Sequence, residues 1–259
     1  MSIQTLVVTM NQKDHSLLDK MNIQTPAIVG NQCDRNEIEE FDYKGFPVKW
    51  LSFNEKGVGL NRNNILMRST ADICVFADDD MIFKDGYDKT VTELFQDYPD
   101  VDMFIFNLDE KNPKRYKNTK FVNVNKFNYG KYGAARIAIR RESIFLKGIS
   151  FNLLFGGGAK YSSGEDSIFL YDCLKKGLKL MAAPLSIAEL TDNRDSSWFE
   201  GYNDKFFIDK GVIYSLLYGK FSRFISFYNC YKHRNGRYKD YGWKRAYRKM
   251  LSGIRSVSK

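Results

Sequence analysis

The chain has 259 residues, 43% of them hydrophobic, which is enough to bury one large core with or without an appendage. Two histidines, and four cysteines without a CxxC pair, exclude zinc knuckles, redox dithiols and histidine-built metal centres, so metal chemistry would have to run on carboxylates. The net charge of +9 is concentrated late: residues 205 to 259 hold 14 Lys and Arg against 2 Asp and Glu, whereas residues 1 to 204 hold 26 against 29.

In chain order, "IQTLVVT" reads as a buried strand, followed by "PAIVG" and "VKWLSF" as further short strands, each ending in polar or glycine residues. The segment "LNRNNILMRSTA" has Leu60, Ile65, Leu66 and Met67 near helical spacing, with Asn61 expected to cap it. A fourth strand, "DICVFA", stops at Asp78, Asp79 and Asp80. A helix over "YDKTVTELFQDYP", a strand at "VDMFIFNLD" and a lysine-rich loop, "EKNPKRYKNTK", come next. Strands at "FVNVNKF" and "ARIAIRR" then precede a short helix at "SIFLKG". Finally, "FGGGAKYSSGEDSIFLYDCLKKGLKLMAAP" reads as a glycine-rich loop, a helix capped by Ser163 or Gly164, and a strand.

This alternation predicts an α/β fold, a mostly parallel sheet with covered faces. Ligands in such sheets bind beyond the carboxyl ends of the strands, so Thr9, Asn31, Asp34, Lys56 and Asp78 to Asp80 are expected along one rim. No window approaches the roughly 18 to 20 uninterrupted apolar residues of a membrane span. The start, "MSIQTLVVTMNQKDH", does not read as a secretion signal, and the chain is expected in the cytoplasm.

Two acidic sites carry the chemistry. Aspartates in turns often bond only nearby backbone amides, but three in a row after a buried strand repel one another and call for a cation. Magnesium or manganese suits such hard oxygen ligands, with Asp80 as the direct ligand and Asp78 assisting through sugar or water contacts. Glu165 and Asp166 sit where a helix N-terminus favours carboxylates for ordinary reasons.

"VFADDDMIF", preceded by "KGVGLNRNNIL" and followed about 80 residues later by "SSGEDSIFLYDCLKKG", resembles the family 2 inverting glycosyltransferases of the GT-A fold, over roughly residues 3 to 215. The resemblance implies a Rossmann-like GT-A domain over residues 1 to 211 with helices on both sheet faces, and the composition beyond it predicts a basic, aromatic helical extension over 212 to 259. It implies that Thr9, Asn11 and Asp34 line a nucleotide pocket and that Arg62 approaches the base or diphosphate, with Lys56 and Asp79 also at the sugar-nucleotide site. It gives Asp78 and Asp80 the metal and donor turn, Asp166 the catalytic base, and Glu165 the orientation of an acceptor hydroxyl. The implied activity is hexosyl transfer from a nucleotide-diphosphate sugar, a UDP-sugar by preference, to a saccharide or lipid-linked acceptor in bacterial surface polysaccharide synthesis. One departure is the absence of the family's metal-binding histidine from "SIAELTDNRDSSWFEGYNDKFFIDKG", where Glu189 or Asp192 is the available substitute.

The tail interleaves aromatics with lysine and arginine, a pattern shared by nucleic-acid binders, anionic-membrane surfaces and a simple packed helix with a solvated basic face. Peripheral contact with the inner face of the cell membrane is the preferred functional reading, with Ile213, Leu216, Leu217, Phe221, Phe224 and Ile225 at the interface; nucleic acid is the weaker one. Rival functions are a haloacid-dehalogenase-like phosphatase, a nucleotidyltransferase and a non-catalytic binding protein. The phosphatase pattern wants Thr or Val where Ile82 stands, and "TMNQKDHS" is not the glycine-rich basic loop of a nucleotidyltransferase.

Overall fold

The computed structural model describes residues 1–111, 115–191 and 201–257. In chain order the elements are β1 (Ile3–Met10), α1 (Leu17–Lys20), β2 (Ala27–Gln32), β3 (Glu37–Tyr43), β4 (Phe46–Phe53), α2 (Val58–Met67), β5 (Ile73–Asp78), β6 (Met81–Phe83) and α3 (Tyr87–Asp97). They continue with β7 (Met103–Asp109), β8 (Val122–Val124), β9 (Ile137–Arg140), α4 (Arg141–Leu146), α5 (Glu165–Lys175), β10 (Leu180–Leu190), α6 (Asp204–Tyr218), α7 (Ser222–Lys232) and α8 (Trp243–Ser256).

The strands form one sheet in the order β3-β4-β2-β1-β5-β9-β7-β10-β6, with β8 also on β10. The ladder β4-β2-β1-β5 is parallel, and β7-β10 runs the same way on the far side of the antiparallel β9. Apolar side chains alternate between the two sheet faces, so each face needs its own helical cover. Leu17 and Leu18 of α1 with Tyr87, Val91, Leu94 and Phe95 of α3 cover one face. Ile65 and Leu66 of α2, Ile144 of α4 and Phe169, Leu170 and Cys173 of α5 cover the other.

Several expected elements differ in detail. β3 was not expected: its exposed, acidic "EIEEFDY" pairs antiparallel with β4 around a Lys44–Gly45 turn, and charge on an edge strand discourages further pairing. Asn61 does not cap α2, which begins after Gly57. Its buried side chain instead donates to the Gly30 carbonyl at 2.8 Å, tying the helix to β2. β10 is longer than "LKLMAAP" implied and passes through Pro184 to Leu190, with register shifts between Ala182 and Ala188. The lysine-rich loop lies partly, and the stretch containing Asp192 wholly, outside the described residues.

The division expected between residues 211 and 212 falls inside α6. That helix packs on α8 at close range: a Cβ on Gly211 would stand 2.1 Å from the Met250 carbonyl oxygen, and one on Gly253 would stand 2.0 Å from that of Ile208. Ile213 and Leu217, expected at a membrane interface, are buried with Phe155 and Ile168, because that face of α6 lies against the loop between α4 and α5 and against α5 itself. Ile225 is only partly exposed. No helix among the described residues is long and apolar enough to cross a membrane.

Candidate active site

The parallel ladder brings the ends of β1, β2, β4 and β5 to one rim, and the acidic turn is built there. Asp78 is the last residue of β5. The Thr191 amide beyond β10 donates to the Asp80 carbonyl at 2.9 Å, so the turn is closed from the far strand as well. Thr9 donates its hydroxyl to Asp79 at 2.6 Å and receives the Gln12 side-chain amide at 2.9 Å. Asn31 fixes that corner by bonding both backbone groups of Gln12, at 3.0 and 3.1 Å.

Arg62 joins this turn to the second acidic motif. It lies on the inward face of α2, three and four residues before the buried Ile65 and Leu66. Its Nη2 donates to Asp78 Oδ1 at 2.9 Å, and its Nη1 donates to Asp166 Oδ1 at 2.7 Å and lies 3.6 Å from Glu165 Oε1. The Arg62 side chain is only 4% exposed, against 39% for Asp78, 29% for Asp166 and 14% for Glu165. Burial opposes the charge on the guanidinium, but Asp166, Asp78 and Glu165 more than offset it, and its pKa is raised further. The Arg62 ring-face contact with Phe151, 5.3 Å to the centroid, closes the apolar side. Arg62, expected to approach the base or diphosphate, here divides its fork between carboxylates of both motifs.

Burial, then the charge of Asp166, pushes Glu165 up to about 7. Asp166 turns its second oxygen, Oδ2, toward Gly133, where a Cβ would stand 3.0 Å from it. Both carboxylates open α5, whose N-cap is Gly164. Ile213 of α6 sits directly against Gly164, and Asp209 of the same helix, 4% exposed, accepts from the Ser162 amide and hydroxyl at 3.0 Å each. The extension thus buttresses the acidic helix rather than hanging from the domain.

Burial, followed by the charge of Asp78, raises Asp80. Crowded carboxylates in that state favour a bound divalent cation, and two hard oxygen donors suit magnesium or manganese, which keep few protein ligands and share the rest with phosphates. Among the described residues no group of three His, Cys, Asp or Glu could hold a metal ion; Asp80 and Asp78 are the carboxylates of this turn that could contribute to one. Glu189 pairs across the ladder with Ile82 and is exposed.

Other expected residues are more peripheral. Asn11 is exposed at φ 55°, held by its amide to the Gln32 carbonyl at 2.9 Å. Asp34 and Lys56 are exposed on the loops after β2 and β4, on the rim but away from the Arg62 cluster's hydrogen bonds. Gln12, Gly133, Ser162 and Asp209 were missed. Asp209 had a signal: it stands three and four residues before the buried Val212 and Ile213, on the inward face of α6.

The family model for glycosyl transferase family 2 matches residues 25–154, which span α2, the acidic turn and β7. The chain belongs to glycosyl transferase family 2. Among solved structures, residues 1–349 of S. aureus TarS in complex with UDP-GlcNAc superpose with a TM-score of 0.63 at 14% identity, covering 92% of this chain and 74% of that one. S. aureus TarS in a longer form gives a TM-score of 0.61 at 14% identity, with 92% of this chain matched to 45% of that one. At that identity the likeness shows the shared GT-A fold. No curated protein matches the chain. The chain is thus a glycosyltransferase, and the α/β architecture read from the strand pattern stands.

Proposed function

We propose that this glycosyltransferase inverts the anomeric centre of a UDP-sugar as it moves the sugar to a hydroxyl of a saccharide or lipid-linked acceptor, in the cytoplasm and for a surface polysaccharide. The observation that carries the reading is the Arg62 bridge, which sets the Asp78–Asp80 turn and Asp166 on opposite arms of one buried guanidinium. Donor and acceptor chemistry would then meet around that one guanidinium. The UDP-GlcNAc held by the TarS structure supports the nucleotide class of the donor.

In the proposed step the acceptor oxygen bonds to the anomeric carbon while the bond from that carbon to the diphosphate oxygen breaks on the opposite side. The acceptor proton passes to Asp166. Arg62 holds Asp166 Oδ1, so Oδ2 is the oxygen that takes the proton. Glu165, pushed up to about 7 and so about half protonated near neutrality, can in its protonated form donate a hydrogen bond that orients the acceptor without adding a second full charge beside Asp166. Thr9, through Asp79, positions the donor side of the turn. A divalent ion held by Asp80 and Asp78 would supply Lewis-acid neutralisation of the leaving diphosphate.

A thermal-shift panel of sugar nucleotides with manganese tests the reading. A UDP-sugar present at about 100 times its Kd adds roughly 2.7 kcal/mol to the stability of the folded state. Stabilisation by UDP-sugars and by no other compound in the panel is expected. Stabilisation by none of them removes the donor assignment.

A further inference from the structure

The helix α7 is built inside out. It buries Ser222, Ser226 and Cys230, spaced four apart, and turns Phe224, Phe227, Tyr228 and Tyr231 outward on the opposite side. A helix stabilised only by packing on its neighbours would bury the rings and expose the serines. Exposure continues back along the chain at Phe221, 60% exposed against 68% for Phe224, and at Leu216 near the end of α6, 52% exposed. Ring contacts of Phe227 with Trp243 and Tyr247, at 6.1 and 5.6 Å, extend it onto α8.

Cations flank these rings. Lys220 lies over Phe221 at 5.4 Å, Lys232 over Tyr228 at 6.0 Å and Arg234 over Tyr231 at 3.9 Å. Residues 212 to 259 contain 12 Lys and Arg against one acid, Asp240. An apolar row edged by cations complements a surface that is apolar below and anionic above.

We infer that this α6–α7 face, centred on Leu216, Phe221 and Phe224, docks on an anionic lipid bilayer, its rings at the headgroup boundary and its lysines and arginines on lipid phosphates. Single-stranded nucleic acid fits less well, because bases stack on open ring faces, and here the faces of Phe221, Tyr228 and Tyr231 are shared with cations while Leu216 offers no stacking surface. The inference goes beyond the glycosyl-transfer reading and does not depend on it.

The test is sedimentation of the full chain with vesicles of phosphatidylglycerol and phosphatidylcholine, without donor, against pure phosphatidylcholine vesicles. Pelleting with the anionic vesicles alone, weakened by salt, is expected. The double substitution Phe221→Ser and Phe224→Ser should lower the partition constant about tenfold or more, since each ring buries apolar area at the interface. Lys220→Glu with Lys232→Glu should do the same through charge, and both variants should keep the wild-type unfolding temperature. Absence of pelleting, or equal pelleting of wild type and both variants, overturns the inference. So does binding of single-stranded DNA, or formation of a dimer, that depends on these residues when vesicle binding does not.

Discussion

Replacing Arg62 with Met keeps the length and apolar stem of the side chain while removing the charge that three carboxylates share. The loss has three parts. The Asp78 pair, with that carboxylate 39% exposed, is discounted to about 1 kcal/mol because water screens it. The 2.7 Å bond to Asp166 is a charge-assisted hydrogen bond from a buried donor and contributes about 2 kcal/mol. Glu165 at 3.6 Å adds at most about 1 kcal/mol, so the total is about 3 to 4 kcal/mol before Met regains some packing on Phe151. For a chain of 259 residues, at about 2 to 4 °C per kcal/mol, the unfolding temperature should fall by about 6 to 16 °C at neutral pH. The fall should shrink from pH 7 toward pH 4, where Glu165, raised to about 7 by burial and the charge of Asp166, takes up a proton and no longer adds to the repulsion. Thermal unfolding followed by intrinsic fluorescence across that pH range is the assay. A shift under about 2 °C at pH 7, or a gap that does not depend on pH, would refute the buried bridge.

Other perturbations probe the acidic helix from its remaining sides. Gly133→Ala places a Cβ 3.0 Å from Asp166 Oδ2 at an ordinary φ of −116°, so turnover should drop about tenfold with little change in unfolding temperature; unchanged turnover would show that this oxygen takes no part. Asp209→Ala frees Ser162 and the N-terminus of α5, so kcat should fall several-fold while donor Kd by calorimetry holds; a loss confined to donor affinity would contradict the buttress role. Glu165→Gln tests the pH sign. Glu165 is raised from 4.5 to about 7 on folding, so the stability it lends is complete below pH 4.5 and is lost as pH rises through 7, on the order of 3 kcal/mol. The variant should therefore gain on wild type between pH 4.5 and 8, and a constant difference would place the titration elsewhere.

The rim was legible because it rests on local rules. Short apolar runs that stop at polar clusters are strands of a covered sheet, and Asp78 to Asp80 end one of them as expected. The Glu165–Asp166 pair likewise opens α5 where the caps put it. What escaped depends on side chains meeting across long sequence separations. Arg62 was read by its neighbours in a motif, whereas its helical phase with Ile65 and Leu66 turns it inward, where Asp78 and Asp166 wait 16 and 104 residues away. Asn61 looked like a cap because Asn favours caps, but it bonds Gly30 on a neighbouring strand. The tail was read as one amphipathic surface. In space Ile213 and Leu217 face α5, whereas Leu216, Phe221 and Phe224 are exposed as expected, a division set by how α6, α7 and α8 pack.

The central claim is that one cleft binds a sugar nucleotide at the aspartate turn and deprotonates the acceptor at Asp166. The most direct measurement is manganese-dependent turnover of the stabilising UDP-sugar, with its Kd, in Asp166→Asn and Asp80→Ala beside wild type. The expected result is a loss of turnover by at least about a thousandfold in Asp166→Asn with Kd within about threefold of wild type, and at least about tenfold weaker donor binding in Asp80→Ala. Normal turnover in Asp166→Asn, or unaltered donor affinity in Asp80→Ala, would contradict it.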